Sequence, residues 1–509
     1  MPRIPRRVRV GLVTAVATAL PLVLLFGPAG SASTETGAPP ERQLADSIDM
    51  RNVKRHLEKL QSIANTHGGT RASGTSGDDA SRDYVAGELR GAGYQVTLQA
   101  FTFPSFRERT APIMEQVSSH RATFTPIPQG SNAFGDFASS IHSGSGDVEA
   151  AIQGVDLTLP PGPRPNSSTS GCEAADFAGF TRGNIALLQR GICTFADQAR
   201  NAQAAAASGV IIFNEGQRGR TEVFTEPLDQ TGITIPVVGA SFAVGQRLAS
   251  PGKVVRLKTN TESAPRTTYN LLAESKQGNA NNVVMAGAHL DSVRTGAGIN
   301  DNGSGVAGLL EVARRMATVQ PKNKLRFAFW GAEELGLLGS KYYVSNLSKT
   351  DHRRIGLYLN FDMIASPNFA YMIRDGSAGP AGSTEIEKNF ARYYDVRNLP
   401  HISAPLNGRS DYDPFMRAGI PIGGVFTGSD GIKTPEEQRM FGGQAGRAYD
   451  YCYHRPCDTT TNINDTALTV NTGAIAHAVQ TYASTDDLPA RHTARNPSLQ
   501  PPRSRGPHR

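Results

Sequence analysis

NNVVMAGAHLDS at 281–292, GAGINDNGSGVAGLLEVARRM at 296–316, KLRFAFWGAEELGLLGS at 324–340 and GLYLNFDMIAS at 356–366 decide how this chain reads. In three of these pieces a β-rich run (283–286, 325–330, 357–361) stops at metal-binding residue types: His289, the pair Glu333 and Glu334, and Asp362. Asp301 lies in the loop that opens a helical pattern over 302–316. Ligand-type residues gathered at the carboxyl ends of strands are where an open α/β sheet keeps its active site.

The physical reading of the set is a metal centre. Imidazole together with carboxylate suits zinc, and a two-metal site needs a carboxylate able to bridge ions about 3.5–4 Å apart. Asp301 suits the bridge, because its short side chain sits in a turn rich in glycine (Gly296, Gly298, Gly303, Gly305) where backbone approaches closely. Glu333 and Glu334 point different ways in an extended segment, so one binds metal and the other is free to act as a base. Each residue alone has an ordinary alternative: a solvated Glu-Glu pair, a core histidine, an Asp capping a helix. The ordered conjunction is what argues against chance.

Outward from this core, strands and helices alternate from 267 to 483, which predicts an α/β fold with a mostly parallel central sheet and helices on both faces. TTYNLLAE at 267–274 reads as an edge or hairpin strand. Upstream, 50–65 and 78–91 read as amphipathic helices and 94–103 as a strand, with no catalytic pattern among them. Residues 133–258 change character, with short β-like runs, many glycines and one helix at 196–208. The expected organisation is a signal at 1–33, a catalytic domain in two parts at 46–132 and 267–484, a smaller β-rich insertion at 133–258, and a tail at 485–509 that is polar, rich in Pro and Arg, and disordered.

MPRIPRRVRV precedes an apolar run at 11–26, shorter than the ~20 residues of a membrane span, and then GPAGSAS; this is the layout of a cleaved secretory signal. A secreted protein with no membrane anchor after cleavage is expected. The net charge of +7 is concentrated in the leader and in the five arginines of 491–509, and no basic stripe argues for nucleic acid. Four cysteines in an exported chain favour disulfides; of three connectivities the local one pairs Cys172 with Cys193 and Cys452 with Cys457. A cysteine zinc site is the alternative, though no CxxC occurs.

GAHLDS, GINDNGSG, WGAEELGLLGS and NFDMIAS, followed by NGRSDYDPF at 407–415 and YCYHRPCD at 451–458, resemble the co-catalytic zinc aminopeptidases of metallopeptidase family 28, particularly the secreted bacterial leucine-type enzymes. The resemblance covers most of 46–484. It implies two zinc ions, one held by His289 and Asp362 and the other by Glu334 and His454, with Asp301 between them. It further implies Glu333 as general base, Tyr453 as the hydroxyl that steadies the oxyanion, and a cis peptide bond after Asp301. Arg409 would help fix the substrate end, and Met363 and Phe426 would wall the first side-chain pocket, suiting large apolar N-terminal residues. Calcium, which some secreted relatives bind, is assigned no residues. The insertion resembles the protease-associated domain, with no cluster of ligands or of nucleophile and base. Peptides with a free N-terminus are the expected partners, and the enzyme is expected to be a monomer. A zinc carboxypeptidase, a glutaminyl cyclase of the same fold and a metal-free receptor-like ectodomain are the alternatives.

Overall fold

The computed structural model describes residues 44–489, apart from 119, 130–133, 164–166, 218–219 and 229–231. The expected signal at 1–33 and the tail beyond 489 lie outside the described residues.

Period-two alternation builds the centre of the molecule. Along the strand Asn279–His289, Val284, Ala286 and Ala288 join one hydrophobic core while Val283 and Met285 join another. A strand buried on both faces in this way needs helices on both sides. In chain order the elements that supply them are α1 (Met50–Thr66), α2 (Ser76–Gly91), β1 (Gln95–Gln116), β2 (Val254–Glu274), β3 (Asn279–His289), α3 (Gly305–Met316), β4 (Asn323–Trp330), α4 (Leu338–Ser345), β5 (Ile355–Phe361), β6 (Met372–Arg374), α5 (Ser383–Asp395), β7 (Ile402–Ala404), α6 (Tyr412–Arg417), β8 (Ile422–Phe426) and α7 (Asp465–Ser484). Side chains of α1, α2, α3, α5 and α7 fill one core; Tyr343 of α4 and Tyr412 and Phe415 of α6 fill the other, around Trp330.

The sheet runs β7-β6-β8-β5-β3-β4-β2-β1. Strands β4, β3, β5 and β8 are parallel neighbours; β2 joins β4, β1 joins β2, and β6 joins β8 antiparallel, so the parallel part is the middle of a mixed sheet. Register brings the site together. Trp330 pairs with His289, which puts Glu333 just beyond that level, and Asn360 pairs with Gly287, which carries Asp362 to the height of His289.

Several local expectations need correction. The strand expected over 94–103 runs on to Gln116, because β1 and β2 stay paired from Gln95–Glu274 to Gln116–Val255. TTYNLLAE is therefore an interior strand, flanked by β1 and β4, and position 267 lies in mid-strand. The chain reaches the inserted region along β1 and returns along β2, a two-stranded ribbon in place of a loop linker. Beyond the ribbon, Ile185–Gln189, Gly209–Phe213 and Val237–Ala240 form a parallel sheet packed by Phe195–Ala204 and Phe242–Leu248, the second of which the sequence reading lacked. The Cys172–Cys193 disulfide sits in this unit, and Cys452–Cys457 in the catalytic one. At the far end order extends past 485, because Leu488, 1% exposed, is packed into the main core.

Candidate metal centre

Residues 298–305 do not begin a helix at Asn302 as the pattern suggested; α3 starts at Gly305, and Asp301 and Asn302 take non-helical conformations. The cause is a set of buried hydrogen bonds that sews this loop to the end of β5. The Asn302 side chain donates to the Phe361 carbonyl (2.9 Å) and accepts from the N–H groups of Met363 (3.2 Å) and Gly305 (3.0 Å). Ser304 Oγ accepts from Ile364 N–H, and Asn300 Oδ1 from Ala365 N–H. Asp458 takes the N–H groups of Asn300 and Asp301 at 2.8 and 3.0 Å. Gly298 (φ +61) and Gly305 are required here: a Cβ would stand 2.3 Å from Asp301 O in the first case and 2.3 Å from Asn302 Oδ1 in the second. The Asp301–Asn302 peptide bond is cis.

Asp301 presents its two oxygens to two imidazoles. His289 Nε2 lies 3.2 Å from Oδ1 and His454 Nε2 3.3 Å from Oδ2. His289 Nε2 is also 3.4 Å from Asp362 Oδ1, and His454 Nε2 is 3.0 Å from Glu334 Oε2. Ligand atoms of His289, Glu333 and Asp362, and of Asp301, Glu334 and His454, form two groups whose members lie within 4.8 Å of one another. The supports face outward: His289 Nδ1 is 3.1 Å from the Asp291 carbonyl, Glu333 N–H donates to Asp291 Oδ1 (3.1 Å), and Ser410 Oγ donates to Asp362 Oδ2 (2.6 Å). Such outer partners fix which ring nitrogen and which oxygen face the centre. Three residues at the site, Ala332, Met363 and His454, hold positive φ (+55, +51 and +57), conformations that surrounding structure must enforce and that concentrate at functional sites.

The electrostatics fit bound cations. Glu334 Oε1 and Asp362 Oδ1 are buried without a hydrogen-bond partner, a costly state that a divalent ion relieves. Burial pushes Glu333 well above the usual carboxylate range, with Asp411, Asp362 and Glu334 adding to the effect. It also pushes Glu334 and Asp411 up to about 7. Burial alone would lower both imidazoles, yet the facing acids overcome it: His454 is raised to about 10, chiefly by Asp301 and Glu334, and His289 also rises, chiefly through Glu333 and Asp362. A cluster that holds protons on imidazole this strongly has the charge to hold metal ions instead.

Around this centre a pocket is lined by Asp301, Glu333, Glu334, Asp362, Met363, Phe426, Arg409, Tyr453 and His454, which brings every expected site residue but His289 to one surface; His289 stands behind them. Tyr453 stacks on His454 (3.8 Å between ring centroids), and Arg409 Nη2 is 3.5 Å from its hydroxyl. Burial raises the Tyr453 phenol, so it stays a donor. Two arginines escaped the sequence reading. Arg374 lines the same pocket, and its signal was the one that exposed the others, a polar residue ending an apolar run at 371–373. Arg71, fully buried in the loop between α1 and α2, donates to the carbonyls of Leu290, Ala297 and Gly298 and so ties the His289 turn to the Asp301 loop.

Residues 270–479 match the model of Peptidase family M28, and 155–248 that of the PA domain. The chain is 45% identical over 436 residues to an aminopeptidase of Pseudomonas aeruginosa, covering 84% of this chain and 79% of that one. It is 36% identical over 476 residues to leucine aminopeptidase 2 of Trichophyton rubrum, covering 91% and 90%. A solved zinc aminopeptidase from Bacillus subtilis superposes with a TM-score of 0.60 at 24% identity, over 86% of this chain and 96% of that one, and shares the fold. With this likeness extending along most of both chains, and the M28 match spanning the strands and loops that build the centre, the protein belongs to the aminopeptidases of peptidase family M28, with a PA domain set into it.

Proposed function

We propose that this aminopeptidase is a secreted, two-zinc enzyme that removes large apolar residues from free N-termini. The observation that carries the two-ion reading is the division of Asp301, one oxygen to His289 and the other to His454, each imidazole having its own second carboxylate. His289 and Asp362 would hold one ion and Glu334 and His454 the other, with Asp301 serving both. Ions bound there supply Lewis-acid charge and lower the pKa of a bound water.

The chain's own residues do the rest. Glu333 lines the pocket beside His289 and Asp362, placed to take a proton from the attacking water and return it to the leaving amine nitrogen. The Tyr453 hydroxyl donates to the oxyanion. Relatives named aminopeptidase and leucine aminopeptidase support a free N-terminus as the substrate end. Met363 and Phe426 supply apolar walls for the first side chain, and a relative bears the name leucine aminopeptidase. Export is supported by the leader pattern and by two disulfides. No helix among the described residues is long and apolar enough to cross a membrane.

Metal analysis combined with hydrolysis of leucine p-nitroanilide tests the reading. Two equivalents of zinc, activity lost to a chelator and restored by zinc, and no hydrolysis of the N-acetylated substrate are expected. A single equivalent would remove the two-ion reading, and turnover of the acetylated substrate would remove the free-amine requirement.

A further inference from the structure

The pocket that Met363 and Phe426 wall is not wholly apolar. Arg374, the last residue of β6, lines it and is only 4% exposed. Its guanidinium carbon lies 4.4 Å from the ring centroid of Phe426 and 5.1 Å from that of Tyr412. Its Nε is buried with no hydrogen-bond partner, and among the described residues it forms no ion pair. The pairing of Met372 with Phe426 and of Ile373 with Val425 carries Arg374 on toward Gly424.

Two aromatic faces and the charge of Asp362 offset part of the desolvation of this buried cation, but none of the unmade hydrogen bonds at its Nε. Arg409, the other arginine of the pocket, differs in being exposed and screened by solvent. What completes Arg374 is an oxygen acceptor entering the pocket; what it opposes is a second cation.

We propose that Arg374 sets the charge selectivity of the first side-chain pocket, favouring N-terminal side chains that end in a carbonyl or carboxylate oxygen over those that end in an ammonium. The inference rests on the aminopeptidase reading of that pocket and deepens it.

The test compares kcat/KM for the glutamyl and lysyl p-nitroanilides in the parent enzyme, Arg374→Met and Arg374→Lys. Loss of one fixed charge in a site shielded from water should lower the Glu:Lys ratio at least ~10-fold in Arg374→Met. Arg374→Lys, which keeps the charge, should stay within ~3-fold of the parent on the same Coulomb argument. A ratio in Arg374→Met within about twofold of the parent's overturns the proposal. A second measurement needs no variant. L-glutaminamide should inhibit the parent's turnover of leucine p-nitroanilide at least ~10-fold more tightly than L-lysinamide, whose side chain ends in an ammonium in place of an amide carbonyl. Equal inhibition, or the reverse order, also overturns it. If the parent cleaves no free-amine anilide at all, the failure belongs to the aminopeptidase reading.

Discussion

Replacing Asn302 by Ala tests whether the loop carrying Asp301 is held to the strand carrying Asp362 by one side chain. The substitution removes three buried hydrogen bonds and leaves the Phe361 carbonyl and the N–H groups of Met363 and Gly305 without that partner. The Gly305 N–H keeps the Asn302 carbonyl as a second acceptor, so two groups are left unsatisfied; at ~1–3 kcal/mol each, independent losses would total ~2–6 kcal/mol. Neighbouring losses do not add, and a water admitted by the missing amide re-satisfies some of the groups, which places the expected destabilisation at the lower end, ~2–3 kcal/mol. Function should suffer separately. Asn300 and Ser304 still tie the loop to Ala365 and Ile364, so the fold persists, but Asp301 is no longer fixed against Asp362. Loss of an outer partner typically weakens metal binding ~10–100-fold. Denaturant midpoints with zinc in excess read the first effect, and zinc competition against a graded chelator reads the second. A variant with a midpoint change worth less than ~1 kcal/mol and unaltered zinc affinity would refute the brace, because those bonds could not then couple the two ligand-bearing segments.

Glu333→Gln should retain bound zinc, measured directly, while kcat falls by ~10²–10⁴-fold, since an amide cannot accept the proton; near-parent turnover would remove Glu333 as base. Tyr453→Phe should lower kcat by ~10²–10³-fold, the usual cost of one oxyanion donor, and an unchanged kcat would leave that donor unidentified. Converting Cys452 and Cys457 to Ser should reduce activity and zinc retention more than it lowers the thermal midpoint, because a bridge spanning 5 positions gains little from loop closure yet flanks Tyr453 and His454; normal zinc and normal rate would count against it. His56, 2.6 Å from the Tyr84 hydroxyl, is held neutral: burial, aided by Arg55 and Arg314, pushes it down to about 3. Between that value and ~6.5 the unfolded chain binds a proton that the folded one does not, so this contribution is complete above ~6.5 and is lost as pH falls through the window, at up to ~1.4 kcal/mol per pH unit. His56→Gln should flatten the denaturant midpoint against pH in that window; an equal slope in both proteins would be inconsistent with a neutral buried His56.

The cluster of candidate ligands was legible because strand ends and chemistry coincide in the sequence. His289, Glu333, Glu334 and Asp362 each terminate or closely follow an apolar run, and parallel register turns those one-dimensional positions into one level of the sheet. The β1–β2 ribbon was only half visible, because its outer part alternates weakly and carries Pro104 opposite Pro265; pairing across such positions depends on the partner strand, which lies more than a hundred residues away. Arg71 was invisible for a related reason. Nothing in GGTRASG distinguishes a solvated arginine from one buried against three carbonyls, since the partners are contributed by a loop more than two hundred residues downstream.

Arg374 and the helix start at Gly305 show two ways in which local pattern yields to tertiary structure. For α3, Asp301 has the residue type of an N-cap, but its oxygens face imidazoles and its N–H is taken by Asp458, so helical geometry is excluded at Asp301 and Asn302. For Arg374, a charged residue after an apolar triplet reads as a solvent-facing strand end. Its burial follows instead from β6 running antiparallel to β8, which turns that end of β6 inward to the pocket. The reversal of strand direction at β6 thus sets a cation opposite the acids carried by the parallel strands. Without Arg374, Met363 and Phe426 would leave that wall of the pocket apolar.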